Sequence, residues 1–219
     1  MPLKRAVLPL LDHIEPLAAE VGAANTVVFA AGQRHGHNTD VPGLLAALAD
    51  RGITGTSLPP HPAVLILGAG ATARSALAAL RALTITEATV ATRDPARASD
   101  LLATADRLGL KITLTPFNPP HAPHNAPDLL ISTVPGGAAD PYAQQVAART
   151  FLPPRVADIV YHPWPTPLTT AARQAGAAVA DGFDLLLHQA AGQFHLMTGH
   201  PAPLAPMRAA GLAALAYRR

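Results

Sequence analysis

The stretch that most constrains this chain is AVLILGAGATARSALAALRAL, residues 63–83. Five apolar residues in a row suit a strand buried on both faces of a parallel sheet, and the glycines then turn the chain into an alanine-rich helix. The same rhythm continues downstream. ATVATR (88–93) reads as a strand, and DPARASDLLATADRLG (94–109) as a helix with Asp94 as N-cap and Pro95 in its first position. KITLT (111–115), DLLISTV (128–134) and VADIVY (156–161) read as strands. TPLTTAARQAG (166–176) is a helix capped by Thr166, opened by Pro167 and ended by Gly176, and AAVA (177–180) is a last short strand. Parallel strands need crossover helices, so alternation over 63–182 implies an α/β, doubly wound parallel sheet of Rossmann-like type.

Upstream the pattern differs. Residues 4–21 suggest one or two short helices broken at Pro9 and Pro16. NTVVFAAGQRHGHN (25–38) reads as two strands about an Ala-Gly-Gln turn, and DVPGLLAALADRG (40–52) as a helix with Asp40 near its start. Residues 53–62, with Gly55, Pro59, Pro60 and Pro62, make the best linker. Long apolar helices are expected over about 183–198 and 203–216. The organisation expected is therefore a remnant of an α/β domain over 1–56, a nucleotide-binding domain over 57–182, and C-terminal helices over 183–219 that return to the first unit.

Composition narrows the function classes. The chain has 219 residues, 49% hydrophobic and 14% charged, which supports a packed core and argues against disorder. It has no cysteine, which excludes disulfides, thiolate metal sites and cysteine nucleophiles. The pI is about 9.4, but the formal net charge is only +2 and aromatics are 4%, so general nucleic-acid binding is not expected. AVLPLL after Lys4 and Arg5 is too short for a secretory signal and is stopped by Asp12, and no stretch is long enough to span a bilayer. A cytoplasmic location is expected.

Gly68, Gly70 and Ala73 form G-x-G-x-x-A between a strand and a helix. The first glycine permits the tight turn, the second lets backbone approach a pyrophosphate, and the small third residue lets helix and strand pack closely. At the end of the second strand, Thr92, Arg93 and Arg97 suit a ribose 2′-phosphate and so favour NADP. Asp94 keeps NAD open, because an acidic residue there reaches a ribose hydroxyl.

Several motifs then occur in the order of one family. MPLK resembles the end of the Asn-Val-Thr-x-Pro-x-Lys segment of the shikimate dehydrogenases. GAANTV resembles their Gly-Ala-x-Asn-Thr motif and NTDVPG their Asn-Thr-Asp-x-x-Gly motif. GAGATAR resembles the family's nucleotide loop and TRDPAR its NADP arginine segment. DLLISTVPGG, DIVYHPWPTPL and DGFDLLLHQAAGQFHLMTG resemble its C-terminal blocks. The resemblance runs from Lys4 to about Pro203. It implies reversible, NADP-linked interconversion of shikimate and 3-dehydroshikimate, a step of aromatic amino acid biosynthesis. It also implies Lys4 as catalytic lysine with Asp40 as its partner, and Asn25, Asp40, Tyr161 and Gln189 at the substrate. Gly68, Ala69, Gly70, Ala71 and Thr72 would hold the pyrophosphate, Thr92, Arg93 and Arg97 the 2′-phosphate, and Ile159 and Gly182 would line the nicotinamide pocket.

The chemistry is coherent with those residue types. Oxidation of a carbinol releases a hydroxyl proton that a group within hydrogen-bond reach must take, and a lysine can serve. A carboxylate beside it favours the charged amine, so Asp40 is expected to orient and poise it. Asn, Gln and Tyr suit a substrate rich in hydroxyls. The histidines of HGH (35–37) and HAPH (121–124), with His188 and His195, lack acidic partners at metal-ligand spacing and have no counterpart in the family. They are read as loop or surface residues, and no metal is expected.

The family carries about two further strand–helix units before the lysine segment, including a Ser-x-Ser motif for the substrate carboxylate. An internal methionine taken as the start and a real truncation are the two readings. Either leaves residues 25–38 with an exposed sheet edge and Lys4 near an end open to fraying, so poor turnover of shikimate with retained NADP binding is expected. Two alternatives stay open: a quinate/shikimate dehydrogenase using NAD, and a non-catalytic NADP-binding module. Either a monomer or a homodimer is compatible with the sequence.

Overall fold

A computed structural model describes residues 3–118 and 126–217. HAPH lies outside the described residues, so its expectation has no counterpart here.

The downstream half is a six-stranded, wholly parallel sheet. In chain order its strands are β4 (Val64–Leu67), β5 (Glu87–Thr92), β6 (Lys111–Pro116), β7 (Leu129–Ser132), β8 (Arg155–Asp158) and β9 (Ala178–Asp181). Their spatial order is β6-β5-β4-β7-β8-β9. The order reverses between β4 and β7, which opens a crevice at the carboxyl ends of those two strands. Sequence order alone did not specify this arrangement. The apolar runs are buried as their composition requires: Ile66, Leu67, Val90, Leu129, Leu130, Ile131 and Val156 are fully excluded from solvent.

Helices cover both faces. α4 (Ala71–Ala82) and α5 (Ser99–Leu108) pack on one face, where Leu77, Leu80, Leu101 and Leu108 join Ile66 and Val90. α6 (Asp140–Ala147) and α7 (Pro167–Gln174) cover the other, through Tyr142, Val146 and Leu168. α6 was not foreseen: it has eight residues, and Pro141 in its first turn follows a run of small residues that reads as loop. The helix expected over 94–109 is split. Asp94 caps only a 3-10 turn, Pro95–Ala98, by accepting from the Ala96 amide at 3.1 Å. Ala98 then sits at φ −88°, ψ 1°, outside helical geometry, before α5 begins.

The upstream half is smaller. α1 (Leu3–Ala6), a 3-10 turn (Leu8–Leu10), β1 (His13–Ile14) and α2 (Pro16–Val21) precede a hairpin of β2 (Thr26–Ala30) and β3 (Gln33–His37). These strands form a three-stranded sheet ordered β1-β3-β2, with β1 parallel to β3. His35 and His37 therefore lie in a strand rather than a loop. β2 forms one edge, and Phe29 on it is 77% exposed. α3 (Asp40–Ala49) follows.

The segment 53–62 is anchored rather than loose. Ile53 and Leu58 are buried in the core, and Arg155 Nη2 donates to the Ser57 carbonyl at 2.6 Å. α8 (Gly182–Thr198) then runs back along α3, and α9 (Leu204–Tyr217) packs against the start of α8, where Gly211 leaves room for the Phe183 ring. Among the described residues, no helix is long and apolar enough to cross a membrane.

Candidate active site

Four residues far apart in sequence meet beside α3. Lys4 Nζ lies 2.5 Å from Asp40 Oδ2. Asn25 Nδ2 donates to Asp40 Oδ1 and to Thr39 Oγ1, both at 2.8 Å, and reaches Gln189 Oε1 at 3.4 Å. The side chains of Lys4 and Asp40 are 20% and 10% exposed, so the pair is largely but not wholly screened from solvent.

Local structure explains why each side chain is available. Asp40 is not the cap of α3. Asn38 Oδ1 accepts from the Asp40 and Val41 amides at 3.0 and 3.2 Å, which leaves the Asp40 carboxylate for Lys4 and Asn25. Asn38 is itself fixed by donating to the Ala23 carbonyl at 2.9 Å. Lys4 is not frayed: its carbonyl accepts from the Ala24 amide at 2.9 Å, one residue before Asn25. Asn25 is oriented by its oxygen, which accepts from the Thr39 amide at 2.8 Å and the Thr26 hydroxyl at 3.0 Å. One amide side chain thus contacts both the Asp40 carboxylate and its neighbour Thr39.

Gln189 arrives on α8. A Cβ built on Gly43 would lie 2.8 Å from the Gln189 nitrogen, so only the absence of a side chain at 43 lets α8 approach α3 this closely. Gln193, one turn further, donates to Thr26 Oγ1 at 3.1 Å. Thr39, Gly43 and Gln193 are parts of the site that sequence reasoning missed. The glycine of NTDVPG was the one signal that could have pointed to the close helix contact.

The C-terminal edge of the parallel sheet supplies the second half. Gly68 follows β4 at φ +96°, a conformation few side chains adopt, and a Cβ there would collide with Thr133 and Val134 on the neighbouring β7 loop. A Cβ on Gly70 would point into open space. α4 begins at Ala71 without a side-chain cap, whereas Thr166 and Asp181 cap α7 and α8. Its first amides are therefore free for an anion, with Ala69, Gly70, Ala71 and Thr72 around them. Ala73 is fully buried against the sheet, as the small third position of the motif requires.

At the end of β5, Thr92 is buried and its Oγ1 accepts from the Asp94 amide at 3.3 Å. Arg93 is exposed, and Arg97 pairs with Asp94 at 3.2 Å while 87% exposed. Gly182 packs on the loop after β8: a Cβ there would sit 2.3 Å from the Val160 oxygen and 2.6 Å from the Ile159 oxygen. Tyr161, on that loop, is 47% exposed and shares no hydrogen bond with the Lys4 cluster.

Behind the site, Asp184 is 1% exposed and takes Arg51 Nη2 at 2.7 Å and Arg208 Nη1 at 2.9 Å, which ties α3, α8 and α9 together. His188 belongs to this network and not to a loop: its Nε2 lies 2.8 Å from Asp50 Oδ2, which also meets Arg208. The His188 contact is the main reason the Asp50 carboxyl sits below the usual carboxylate range. Asp158 at the end of β8 is instead pushed up by burial, against the 2.6 Å hydrogen bond from Thr166. Among the described residues, no group of three histidine, aspartate or glutamate side chains could hold a metal ion.

A doubly wound sheet with a glycine loop at its crevice, together with a lysine–carboxylate pair outside that sheet, is the combination expected of a nucleotide-dependent oxidoreductase. The family model for the shikimate 5'-dehydrogenase C-terminal domain matches residues 182–210. The shikimate dehydrogenase (NADP(+)) of Oleidesulfovibrio alaskensis is 37% identical over 214 residues, covering 95% of this chain and 72% of its own length. The shikimate 5-dehydrogenase of Thermus thermophilus, solved with NADP(H) and shikimate, superposes with a TM-score of 0.76 at 33% identity, covering 98% of this chain and 77% of its own. The quinate dehydrogenase of Corynebacterium glutamicum, solved with NAD, gives 0.80 at 30% identity, covering 97% and 75%. The chain belongs to the shikimate dehydrogenase family.

Proposed function

We propose that this chain is an NADP-dependent shikimate dehydrogenase, interconverting 3-dehydroshikimate and shikimate in aromatic amino acid biosynthesis. The observation that carries the reading is the convergence of Lys4, Asp40, Asn25 and Gln189 in one hydrogen-bonded cluster. The cofactor fits the residues present: the uncapped start of α4 and the open space before Gly70 suit a pyrophosphate, and Thr92, Arg93 and Arg97 suit a 2′-phosphate. When bound, NADP supplies the redox chemistry at the nicotinamide ring.

The chain's own residues handle the proton and the substrate. In the direction of carbonyl reduction, Lys4 Nζ donates a proton to the substrate oxygen as it becomes a hydroxyl, and in oxidation the same amine takes it back. Asp40 holds the ammonium in place and stabilises its charge. Asn25 and Gln189 recognise substrate hydroxyls, a contact that penalises analogues lacking them. Tyr161 would join them from its exposed loop, and Ile159 and Gly182 would bound the nicotinamide. The units proposed are 1–56 and 183–219 for the substrate side and 57–182 for the cofactor, with the chain a monomer or homodimer in a cytoplasmic setting.

NAD with quinate is the second reading, favoured by Asp94 and by the likeness to the Corynebacterium enzyme. Against it, the Asp94 carboxylate is already committed to the Ala96 amide and to Arg97. Steady-state kinetics with both cofactors and both polyols decides. Preference for NADP and shikimate is expected, and Arg93→Ala should raise the KM for NADP about tenfold or more while sparing NAD, since a charge-assisted contact to phosphate is removed. Equal losses with both cofactors would remove Arg93 from the 2′-phosphate clamp.

A further inference from the structure

A cavity of about 260 Å³ lies between α1, α2, α4 and α5, on the helix-covered face, and its lining includes Arg74 and Asp100 from the first turns of α4 and α5. Three arginines and one carboxylate line it: Arg5, Arg74, Arg107 and Asp100. Nothing in the proposed reaction uses them.

The charges are not balanced inside the cavity. Arg5 pairs with Asp100 at 2.5 Å, which leaves two guanidinium groups without a carboxylate among the described residues. Arg107 is held by neutral acceptors, the Glu20 carbonyl at 3.0 Å and Thr104 Oγ1 at 2.9 Å. Arg74 is only 6% exposed, and its single hydrogen bond among the described residues is Nη1 to the Gly22 carbonyl at 3.2 Å. A guanidinium carries five N–H donors, so most of those on Arg74 have no protein acceptor among the described residues, and the side chain lines the cavity. The two groups also converge: Arg74 Nη1 and Arg107 Nη2 each lie 3.2 Å from the position a Gly22 Cβ would take. Burial lowers the Arg74 pKa, and Arg5 and Arg107 add to this against the opposing pull of Asp100.

One buried guanidinium, Arg74, converges with the exposed Arg107, and neither is paired with a carboxylate among the described residues, an arrangement that suits a tetrahedral oxyanion. We propose that this cavity binds a small, multiply charged oxyanion, either free phosphate or the phosphate group of a small ester. Binding would also bear on the active site. Arg5 is the neighbour of Lys4 on the four-residue α1, so an anion held by Arg5 and Arg107 pins that helix to α5.

The test is thermal unfolding of the full chain titrated with inorganic phosphate, and separately with glycerol 3-phosphate, against sodium chloride at matched ionic strength. The chain, Arg107→Gln, Asp100→Asn and Arg93→Ala are compared. Saturable stabilisation beyond that of chloride is expected. It should be weakened about tenfold or more by Arg107→Gln, strengthened by Asp100→Asn, and kept in Arg93→Ala. Response to phosphate identifies the free ion as sufficient, and response to the ester alone assigns the site to phosphate esters. No saturable effect from either, or the same effect in Arg107→Gln, would overturn the proposal. If Arg107→Gln does not fold, an unchanged affinity in Asp100→Asn overturns it equally, because removing the carboxylate that lines the cavity must favour an anion there.

Discussion

The amide nitrogen of Asn25 bridges the Asp40 carboxylate and the Thr39 hydroxyl, each at 2.8 Å. The carboxylate that holds Lys4 is therefore fixed from a second side, by a residue of the β-hairpin rather than of its own helix. The ion pair is an oriented part of a network and not a casual surface contact, and its consequences can be measured.

Replacing Lys4 by methionine should remove the proposed proton-transfer group and keep its packing. Turnover of shikimate should fall about 10²- to 10⁴-fold, the usual contribution of a positioned acid–base group. Cofactor affinity, read by NADPH fluorescence, should be unchanged. A similar fall in cofactor affinity would mean that Lys4 acts on structure instead.

Gly43→Ala sets two effects against each other. Helix propensity alone favours alanine by about 1 kcal/mol. The Cβ, however, would lie 2.8 Å from the backbone nitrogen of Gln189, and α8 must move to admit it. The expected outcome is net destabilisation of about 1–3 kcal/mol in urea unfolding, with a raised KM for shikimate as Gln189 is displaced. A stabilised variant with unchanged KM would show that the helices are not in tight contact there.

Asp184→Ala should unfold the C-terminal helices more readily. The carboxylate is buried and holds two arginines, which favours a large loss. Arg51 and Arg208 are 39% and 36% exposed and can rehydrate, so a loss of about 2 kcal/mol is expected rather than the upper range for a fully buried pair. Urea unfolding of the variant beside the parent chain measures it.

Stability should also fall in alkali through Tyr142. Burial pushes its phenol up to about 12, and its hydroxyl donates to the Asn118 carbonyl at 3.1 Å. The unfolded phenol ionises near pH 10, so between about pH 10 and 12 the unfolded state has lost a proton that the folded state keeps. Stability from this group is whole below pH 10 and is lost as pH rises towards 12. Tyr142→Phe should flatten that part of the stability curve, as followed by chemical denaturation at a series of pH values.

Much of this protein was determined by its sequence. The strands 64–67 and 129–132 are apolar enough to be buried within the sheet, and proline, threonine and glycine mark the ends of α7 to within about two residues. Gly68, Gly70 and Ala73 mark the candidate nucleotide loop because backbone conformation and close approach are local demands. What only the tertiary structure decided is non-local. That Asn38, and not Asp40, accepts from the first amides of α3 is seen only in the fold, and Lys4 reads as open to fraying until Ala24 is seen holding it. Strand order, the contact between Gly43 and Gln189, and the gathering of Arg5, Arg74 and Arg107 likewise depend on pairs distant in sequence. Periodicity and capping act over one or two turns of chain, whereas a site is made by packing, and packing joins residues that the chain itself never brings near each other.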